Sequence, residues 1–121
     1  MAAFRMSGRP NGMPPVLRKR AEFLAAAKAR RQGTPGFLLQ ARRRADDGPA
    51  RVGFTCSKKV GNAVLRNRAK RRLREIARLC LPDAGMRGWD YVLIGRPGVT
   101  VSRDFTAMRD DLSRALRKIH A

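Results

Sequence analysis

The stretch that decides the fold spans residues 57 to 78 and reads Ser57-Lys58-Lys59-Val60-Gly61-Asn62-Ala63-Val64-Leu65-Arg66-Asn67-Arg68-Ala69-Lys70-Arg71-Arg72-Leu73-Arg74-Glu75-Ile76-Ala77-Arg78. We expect it to begin at the end of a strand, to turn at Gly61-Asn62 and to continue as a helix. Asn62 is the expected N-cap, because its side-chain oxygen can accept a hydrogen bond from a first-turn amide. Apolar residues recur at helical spacing, namely Leu65, Ala69, Leu73, Ile76 and Cys80. That apolar face is expected to pack on a sheet.

The opposite face of this helix is densely cationic, and Glu75 is the one acid in the stretch. The outward positions are Asn67, Arg71, Arg74 and Arg78, with Arg68 and Lys70 at the margins. Cations crowded on one face repel each other, and a polyanion along that face relieves the repulsion and releases its own counterions. A solvated charged face is the alternative, but such faces usually mix both signs. The charge pattern therefore favours a polyanion partner.

This stretch resembles the signature of the bacterial ribonuclease P protein subunit. The matching residues are Ser57-Lys58-Lys59-Val60-Gly61-Asn62-Ala63-Val64, Arg66-Asn67-Arg68, Lys70-Arg71 and Arg74-Glu75. A match of about twenty residues in a turn-and-helix context is far more specific than a short pattern. With its flanking elements the resemblance covers roughly residues 17 to 119.

Length and composition limit the chain to one domain with a nucleic-acid preference. Its 121 residues hold 28 Lys plus Arg against 9 Asp plus Glu, a formal net charge of +19. Such an excess favours acidic partners, of which nucleic acid comes first and a membrane surface second. We find no apolar run long enough to span a bilayer and no apolar signal core, so we expect a cytoplasmic protein.

The residues that usually perform protein-based catalysis are sparse. Cys56 and Cys80 are too isolated for a structural zinc site and read as buried, reduced thiols. His120 is the single histidine and lies next to the end of the sequence. The acids are scattered, so nothing resembles the clustered carboxylates of a two-metal nuclease. We therefore expect no catalytic residue and no metal site in the protein itself.

The pattern along the chain predicts an α+β fold with the order α-β-β-α-β-α. Residues 1–15 read as a disordered basic tail, and residues 16–121 as a single small RNA-binding domain. The first helix is expected over residues 16–31 with Leu24 as its core anchor, followed by a turn at residues 33–36. Strands over residues 37–43 and 51–57 are expected to pair as an antiparallel hairpin.

The second half of the chain completes a mixed sheet packed against helices. After the basic helix, a connection from residue 81 leads to a strand over residues 90–98 that is apolar enough to be central. A helical crossover makes it parallel to the strand before the helix; the resemblance implies a left-handed crossover. Ser102 is the expected N-cap of the last helix, whose apolar face holds Phe105, Met108, Leu112, Ala115, Leu116 and Ile119.

Two candidate binding surfaces follow from the residues and the resemblance together. The first is the basic face of the second helix with the two lysines before it, and the resemblance implies that it contacts the catalytic RNA. Its residues are Lys58, Lys59, Asn62, Arg66, Asn67, Arg68, Lys70, Arg71 and Arg74. The second is a cleft between the first helix and the sheet, where the 5′ leader of precursor tRNA would meet Phe23, Phe37, Gln40 and Phe54. The family often has aromatic residues where this chain has Ala27 and Gln40, which implies a less aromatic cleft. Because the same phenylalanines are also needed in the core, their orientation stays open.

The resemblance implies a subunit of ribonuclease P that assists a catalytic RNA in removing the 5′ leader from precursor tRNA. Magnesium would be bound mainly by the RNA subunit, and the protein would bind the leader and lower the magnesium requirement. Its partners would be the ribonuclease P RNA and precursor tRNA, with the protein monomeric before assembly. The alternatives are a ribosomal or other structural RNA-binding protein and a DNA-binding module. The latter lacks a preceding helix at helix-turn-helix spacing.

Overall fold

The computed structural model describes residues 13–121, arranged as four helices and a four-stranded sheet within that range. The elements are α1 (Arg20–Ala27), β1 (Arg30–Gly33), β2 (Phe37–Arg43), β3 (Arg51–Thr55), a 3-10 turn (Lys58–Val60), α2 (Ala63–Ala84), β4 (Trp89–Gly95), α3 (Val99–Ser102) and α4 (Phe105–Ile119). The α+β class and the mixed sheet expected from the sequence are confirmed.

Most of the predicted tail, residues 1–12, lies outside the described residues. The remainder of that segment is part of the folded domain, because Met13 and Pro14 are buried. The carbonyl of Pro15 accepts a hydrogen bond from the Val52 amide at 2.9 Å, and the Leu17 amide donates to the Val52 carbonyl at 2.8 Å. This part of the segment thus contacts β3, and the extent of the tail stays a prediction.

The sheet has the strand order β1-β2-β4-β3, which corrects the predicted hairpin. β4 lies between β2 and β3, antiparallel to β2 and parallel to β3. The hairpin is instead formed by β1 and β2, across the turn at residues 34–36. The parallel β3–α2–β4 crossover is confirmed; its left hand stays a prediction.

The two faces of the sheet bury different residues because side chains alternate along each strand. Odd-numbered residues of β2 and β4, such as Phe37, Leu39, Tyr91 and Leu93, face α2 and α4 in the main core. Val92 lies on the other face, in a smaller cluster with Leu17 and Ala26. Helix α1 therefore covers one face, and α2 and α4 cover the other.

The first helix is shorter than predicted, and its expected anchor is wrong. Helix α1 ends at Ala27, and residues 30–33 form the edge strand β1. Leu24 is 49% exposed, whereas Ala26 is fully buried under the helix. The cause is the rotation of the helix about its axis: Phe23 and Ala26, three residues apart, form its contact with the sheet, which turns Leu24 toward solvent.

Two helix ends also differ from expectation. Helix α2 continues to Ala84 and includes Pro82, whose missing amide removes the usual helical donor to the Arg78 carbonyl two residues before the helix ends. The last helix is capped by Asp104, whose carboxylate accepts from the Ala107 amide at 3.0 Å, and not by Ser102. Ser102 ends the short helix α3 and donates its hydroxyl to the Gly98 carbonyl.

Candidate nucleic-acid interface

The entrance to the basic helix is a tight turn that presents two lysines. Ser57 accepts a hydrogen bond from the Lys59 amide at 3.3 Å, and the 3-10 turn that follows buries Val60. Gly61 has a φ of 146°, and a Cβ there would lie 2.6 Å from Cδ1 of Leu65. This close approach requires glycine. Lys58 and Lys59 are exposed as a result.

Helix α2 begins as the sequence predicts. The side-chain oxygen of Asn62 accepts from the Leu65 amide at 3.0 Å, so the expected N-cap is confirmed. The apolar face is confirmed too: Ala69, Leu73, Ile76 and Cys80 are buried.

The outer face of α2 carries its cations in solvent. Asn67, Arg68, Arg71 and Arg74 are exposed, and Arg66 and Lys70 are half-buried. Arg78 is paired with Glu75 at 2.5 Å, whereas Arg66, Arg68, Lys70 and Arg71 have no acidic partner within residues 13–121. The buried Nε of Arg66 has no hydrogen-bond partner among the described residues. This face can therefore offer several guanidinium groups to phosphates.

An aromatic groove adjoins this helix at the β3 edge of the sheet. Its volume is about 420 Å³, and its lining residues are Arg18, Arg20, Phe23, Phe54, Thr55, Cys56 and Lys70. The Arg74 guanidinium lies 5.7 Å from the ring centroid of Phe54, within cation–π range. Arg74 and Lys70 thus join the basic face of α2 to the groove.

The ring of Phe23 packs closely against the backbone of β3 at Gly53. A Cβ on Gly53 would come within 2.6 Å of Cε1 and 2.7 Å of Cζ of that ring. Glycine at position 53 is therefore required for Phe23 to approach the strand so closely. Burial raises the pKa of the neighbouring Cys56 thiol, which keeps this part of the wall neutral.

The structure brings together two of the four residues predicted for the cleft. Phe23 and Phe54 line the same groove. Phe37 does not: it is fully buried in the main core beneath α2 and α4, so its assignment to the cleft is wrong. Gln40 lies on the α1 face, where it is 8% exposed and is not part of the groove lining. The alternation of β2 separates these two residues, and the core takes the larger one.

Three cationic or polar residues of the groove were missed by the sequence analysis. Arg18 and Arg20 fall inside the predicted first helix, where residues two apart do not share a face. Because α1 begins only at Arg20, the extended chain before it brings both arginines to the groove. Thr55 follows Phe54 at the strand end and could have been found from that position alone.

A buried ionic cluster behind the groove was missed as well. Asp90 is fully buried and accepts hydrogen bonds from Arg44 at 2.7 Å and from Arg51 at 2.8 and 2.9 Å. Arg42 lies 3.6 Å from the same carboxylate. The Asp90 hydrogen bonds raise the pKa of Arg51, which stays charged. The sequence shows these cations at alternate strand positions but does not show which strand lies between them.

No metal-binding trio of His, Cys, Asp or Glu side chains occurs within residues 13–121. The two buried carboxylates of this range, Asp90 and Asp111, already form salt bridges with arginines. The donor set of the described chain therefore does not fit a resident magnesium ion. The same part of the chain also contains no helix of the length and hydropathy needed to cross a bilayer.

A polycationic helix beside an aromatic groove, on a small mixed sheet, defines the class of small α+β RNA-binding subunits. The family model for ribonuclease P matches residues 14–120 of this chain. The chain belongs to the ribonuclease P protein family.

The chain is similar to curated ribonuclease P protein components from other bacteria. That of Ruegeria pomeroyi is 70% identical over 109 residues, covering 88% of this chain and 86% of the relative. That of Gluconacetobacter diazotrophicus is 54% identical over 103 residues, covering 84% and 88%.

Solved structures of the family share this fold. The RNase P protein from Staphylococcus aureus aligns with a TM-score of 0.71 at 25% identity, covering 86% of this chain and 94% of that one. The RNase P protein from Thermotoga maritima aligns with a TM-score of 0.72 at 28% identity, covering 87% and 97%. The predicted family and fold class are thereby confirmed.

Proposed function

We propose that this chain is the protein subunit of ribonuclease P and assists a catalytic RNA in removing the 5′ leader from precursor tRNA. The observation that supports this most directly is the continuity of two surfaces. The unpaired cations of α2 meet the Phe23–Phe54 groove through Arg74 and Lys70. One surface can hold a structured RNA while the other holds an unpaired strand.

The basic surface is proposed to bind the RNA subunit. Its members are Lys58, Lys59, Asn62, Arg66, Asn67, Arg68, Lys70, Arg71 and Arg74. Arginine forks suit phosphate oxygens in bidentate geometry, and lysines add point charge at the helix entrance. Removing such contacts lowers affinity and reduces its dependence on salt.

The groove is proposed to bind the leader. Phe23 and Phe54 offer ring faces to unpaired bases, and Arg18, Arg20 and Lys70 provide cations for the phosphates between them. Aromatic stacking is sequence-tolerant because every base has a π-face. The proposed binding is therefore to leaders of varied sequence. Gln40 is not proposed as a contact, because it lies outside the groove lining.

In this proposal the protein binds and positions RNA, and the hydrolytic step belongs to the RNA partner. Magnesium held by that RNA would supply the activated water and stabilise charge at the cleaved phosphate. The protein would reduce the magnesium requirement by screening the repulsion between the two RNAs with its own cations. We also propose that it acts in the cytoplasm and is monomeric before it assembles with the RNA.

The test combines the protein with a bacterial ribonuclease P RNA at low magnesium. Cleavage is measured for a precursor with a leader of several nucleotides. Binding is measured for that precursor and for the same tRNA without a leader. We expect the protein to restore cleavage and to tighten binding of the leader-bearing precursor alone. Equal binding of both RNAs, with no rescue of cleavage, would instead indicate a structural RNA-binding protein.

A substitution in the groove sharpens this test. Phe54→Leu keeps an apolar side chain at the strand edge but removes the ring, so leader preference should fall by about three- to tenfold. Leu24→Ala is the matched control, because Leu24 is an exposed apolar residue of α1 outside the groove. If the two variants behave alike, Phe54 does not contact the leader.

A further inference from the structure

A chain of three charged side chains connects helix α1 to the centre of the sheet. It begins at Asp90 in β4, which is fully buried. Arg51 of β3 meets this carboxylate as a two-point fork, with Nε 2.8 Å from Oδ1 and Nη2 2.9 Å from Oδ2. Such a fork fixes the plane of the guanidinium as well as its position.

The third nitrogen of the fork points at α1. Nη1 of Arg51 donates to Oε2 of Glu22 at 2.9 Å, and both side chains are largely buried, with 29% and 20% exposed. The other oxygen of Glu22 accepts from the Lys19 amide at 3.3 Å, where the helix begins. Asp90 therefore orients Arg51, and Arg51 holds the first turn of α1 against β3.

The same turn of α1 carries a wall of the groove. Phe23 follows Glu22, and its ring lies on Gly53, two residues beyond Arg51 on the same face of β3. Two contacts thus fix the position of α1 over β3: the ion pair between Glu22 and Arg51, and the packing of the Phe23 ring on Gly53. If the charged contact is lost, the helix turn can move along the strand, and the ring moves with it.

We propose that Glu22, Arg51 and Asp90 are positioning residues that hold the Phe23 ring in the groove and thereby set the preference for precursors that carry a leader. This inference rests on the proposed function, in which the groove binds the leader. None of the three residues contacts RNA in this account. They act through the placement of α1.

The sharpest variant is Glu22→Gln. Glutamine can still accept from the Lys19 amide as a capping-box residue, so the helix start is kept while the charge facing Arg51 is removed. Arg51→Lys is the second variant: it keeps the positive charge but cannot form the planar fork with Asp90. The control is Asp47→Asn, the same acid-to-amide change at a side chain that is 92% exposed in a loop outside the groove.

Two measurements are made on each full-length variant. The first is the ratio of holoenzyme affinities for leader-bearing and leaderless precursor, with affinity for the RNA subunit measured in parallel. The second is the NMR chemical shift of the Gly53 Hα protons in the free protein, because the Phe23 ring current acts on them. Thermal unfolding confirms that each variant is folded.

We expect Glu22→Gln and Arg51→Lys to shift the Gly53 protons and to lower the leader preference by about three- to tenfold. Affinity for the RNA subunit should stay within about twofold of wild type, and Asp47→Asn should change neither readout. The inference is overturned if wild type prefers the leader and both variants keep that preference. If wild type itself shows no preference, the proposed function fails, and an unchanged Gly53 shift would separately overturn the positioning role.

Discussion

The Asn62 side chain determines where the basic helix starts. Its oxygen satisfies the Leu65 amide, one of the donors that a helix leaves unpaired in its first turn. Asn62→Ala removes this cap and should lower the free energy of unfolding by about 1 kcal/mol. Urea unfolding followed by circular dichroism measures the change. Asn67→Ala is the control: it deletes the same amide from an exposed position in the second turn of α2 and should be neutral or slightly stabilising.

His120 makes the stability of the fold depend on pH. Its Nε2 lies 2.7 Å from the Tyr91 hydroxyl, which also accepts from the Met86 amide at 2.9 Å. A neutral imidazole with Nε2 unprotonated can accept the hydroxyl proton, whereas a protonated ring has no lone pair left to accept it. Burial, reinforced by the charge of Arg30, lowers the pKa of His120 below its ordinary value of 6.5.

A lowered histidine pKa means that the unfolded chain takes up the proton first as the pH falls. The contribution of His120 is thus fully present above pH 6.5 and is lost as the pH falls toward the depressed pKa of the folded protein. We expect urea midpoints to decrease between about pH 7.5 and 5.5. His120→Gln should flatten this part of the profile. Carboxylates with lowered pKa, such as Asp46 at about 2, act at more acidic pH. A slope that survives the substitution would contradict the assignment.

Among the helices and strands, the sequence predicted where strands β2, β3 and β4 lie better than which strands pair with each other. The alternation of β2 and the apolar run of β4 both indicated strands, and both are present. A β2–β3 hairpin was predicted because the two strands are consecutive and are joined by a short turn-like segment, and this prediction is wrong. What separates them is the insertion of β4, which pairs with both through contacts distant in sequence. Strand β1 was missed since Arg30-Arg31-Gln32-Gly33 has neither apolar residues nor alternation.

The two parts of the candidate site also differ in how well the sequence predicted them. The basic face of α2 could be predicted, because helical geometry converts spacing directly into a face. The groove could be predicted only in part, because a strand pattern gives two faces without saying which is core. Phe37 and Phe54 both lie on strands, yet the first is central and buried while the second lies at the β3 edge. The Asp90 cluster needed the strand order, which one sequence does not contain.

Helix α2 should act as a row of independent phosphate contacts. Arg68→Ala and Arg71→Ala each remove an exposed cation that has no acidic partner among residues 13–121. We expect each to weaken binding to the RNA subunit and to reduce the slope of log K against log salt by about 0.7 to 0.9. A salt series of filter-binding measurements gives both values. Arg117→Ala removes an exposed arginine of α4 and is the control. An unchanged slope for Arg68→Ala and Arg71→Ala would show that these residues only solvate the helix.

For the whole molecule, the dominant electrostatic quantity is the net charge of +19. Repulsion among 28 cations opposes compaction, and the 9 acids offset it incompletely. Salt screens exposed charges more than buried pairs such as Arg51–Asp90. We therefore expect the free protein to unfold at a higher temperature in about 0.5 M than in about 0.05 M sodium chloride.

The location of the repulsion can be tested with the same measurement. A variant with Arg68→Gln, Arg71→Gln and Arg74→Gln removes three exposed charges from one helix face, so its unfolding temperature should rise at low salt and respond less to added salt. A matched variant with Arg31→Gln, Arg43→Gln and Arg117→Gln removes three exposed charges from separate elements and should retain more of the wild-type salt response. Equal responses would mean that the repulsion is spread over the whole surface. A larger effect for the α2 variant would mean that the free protein is destabilised by the same face with which it is proposed to bind RNA, so that binding relieves the cost.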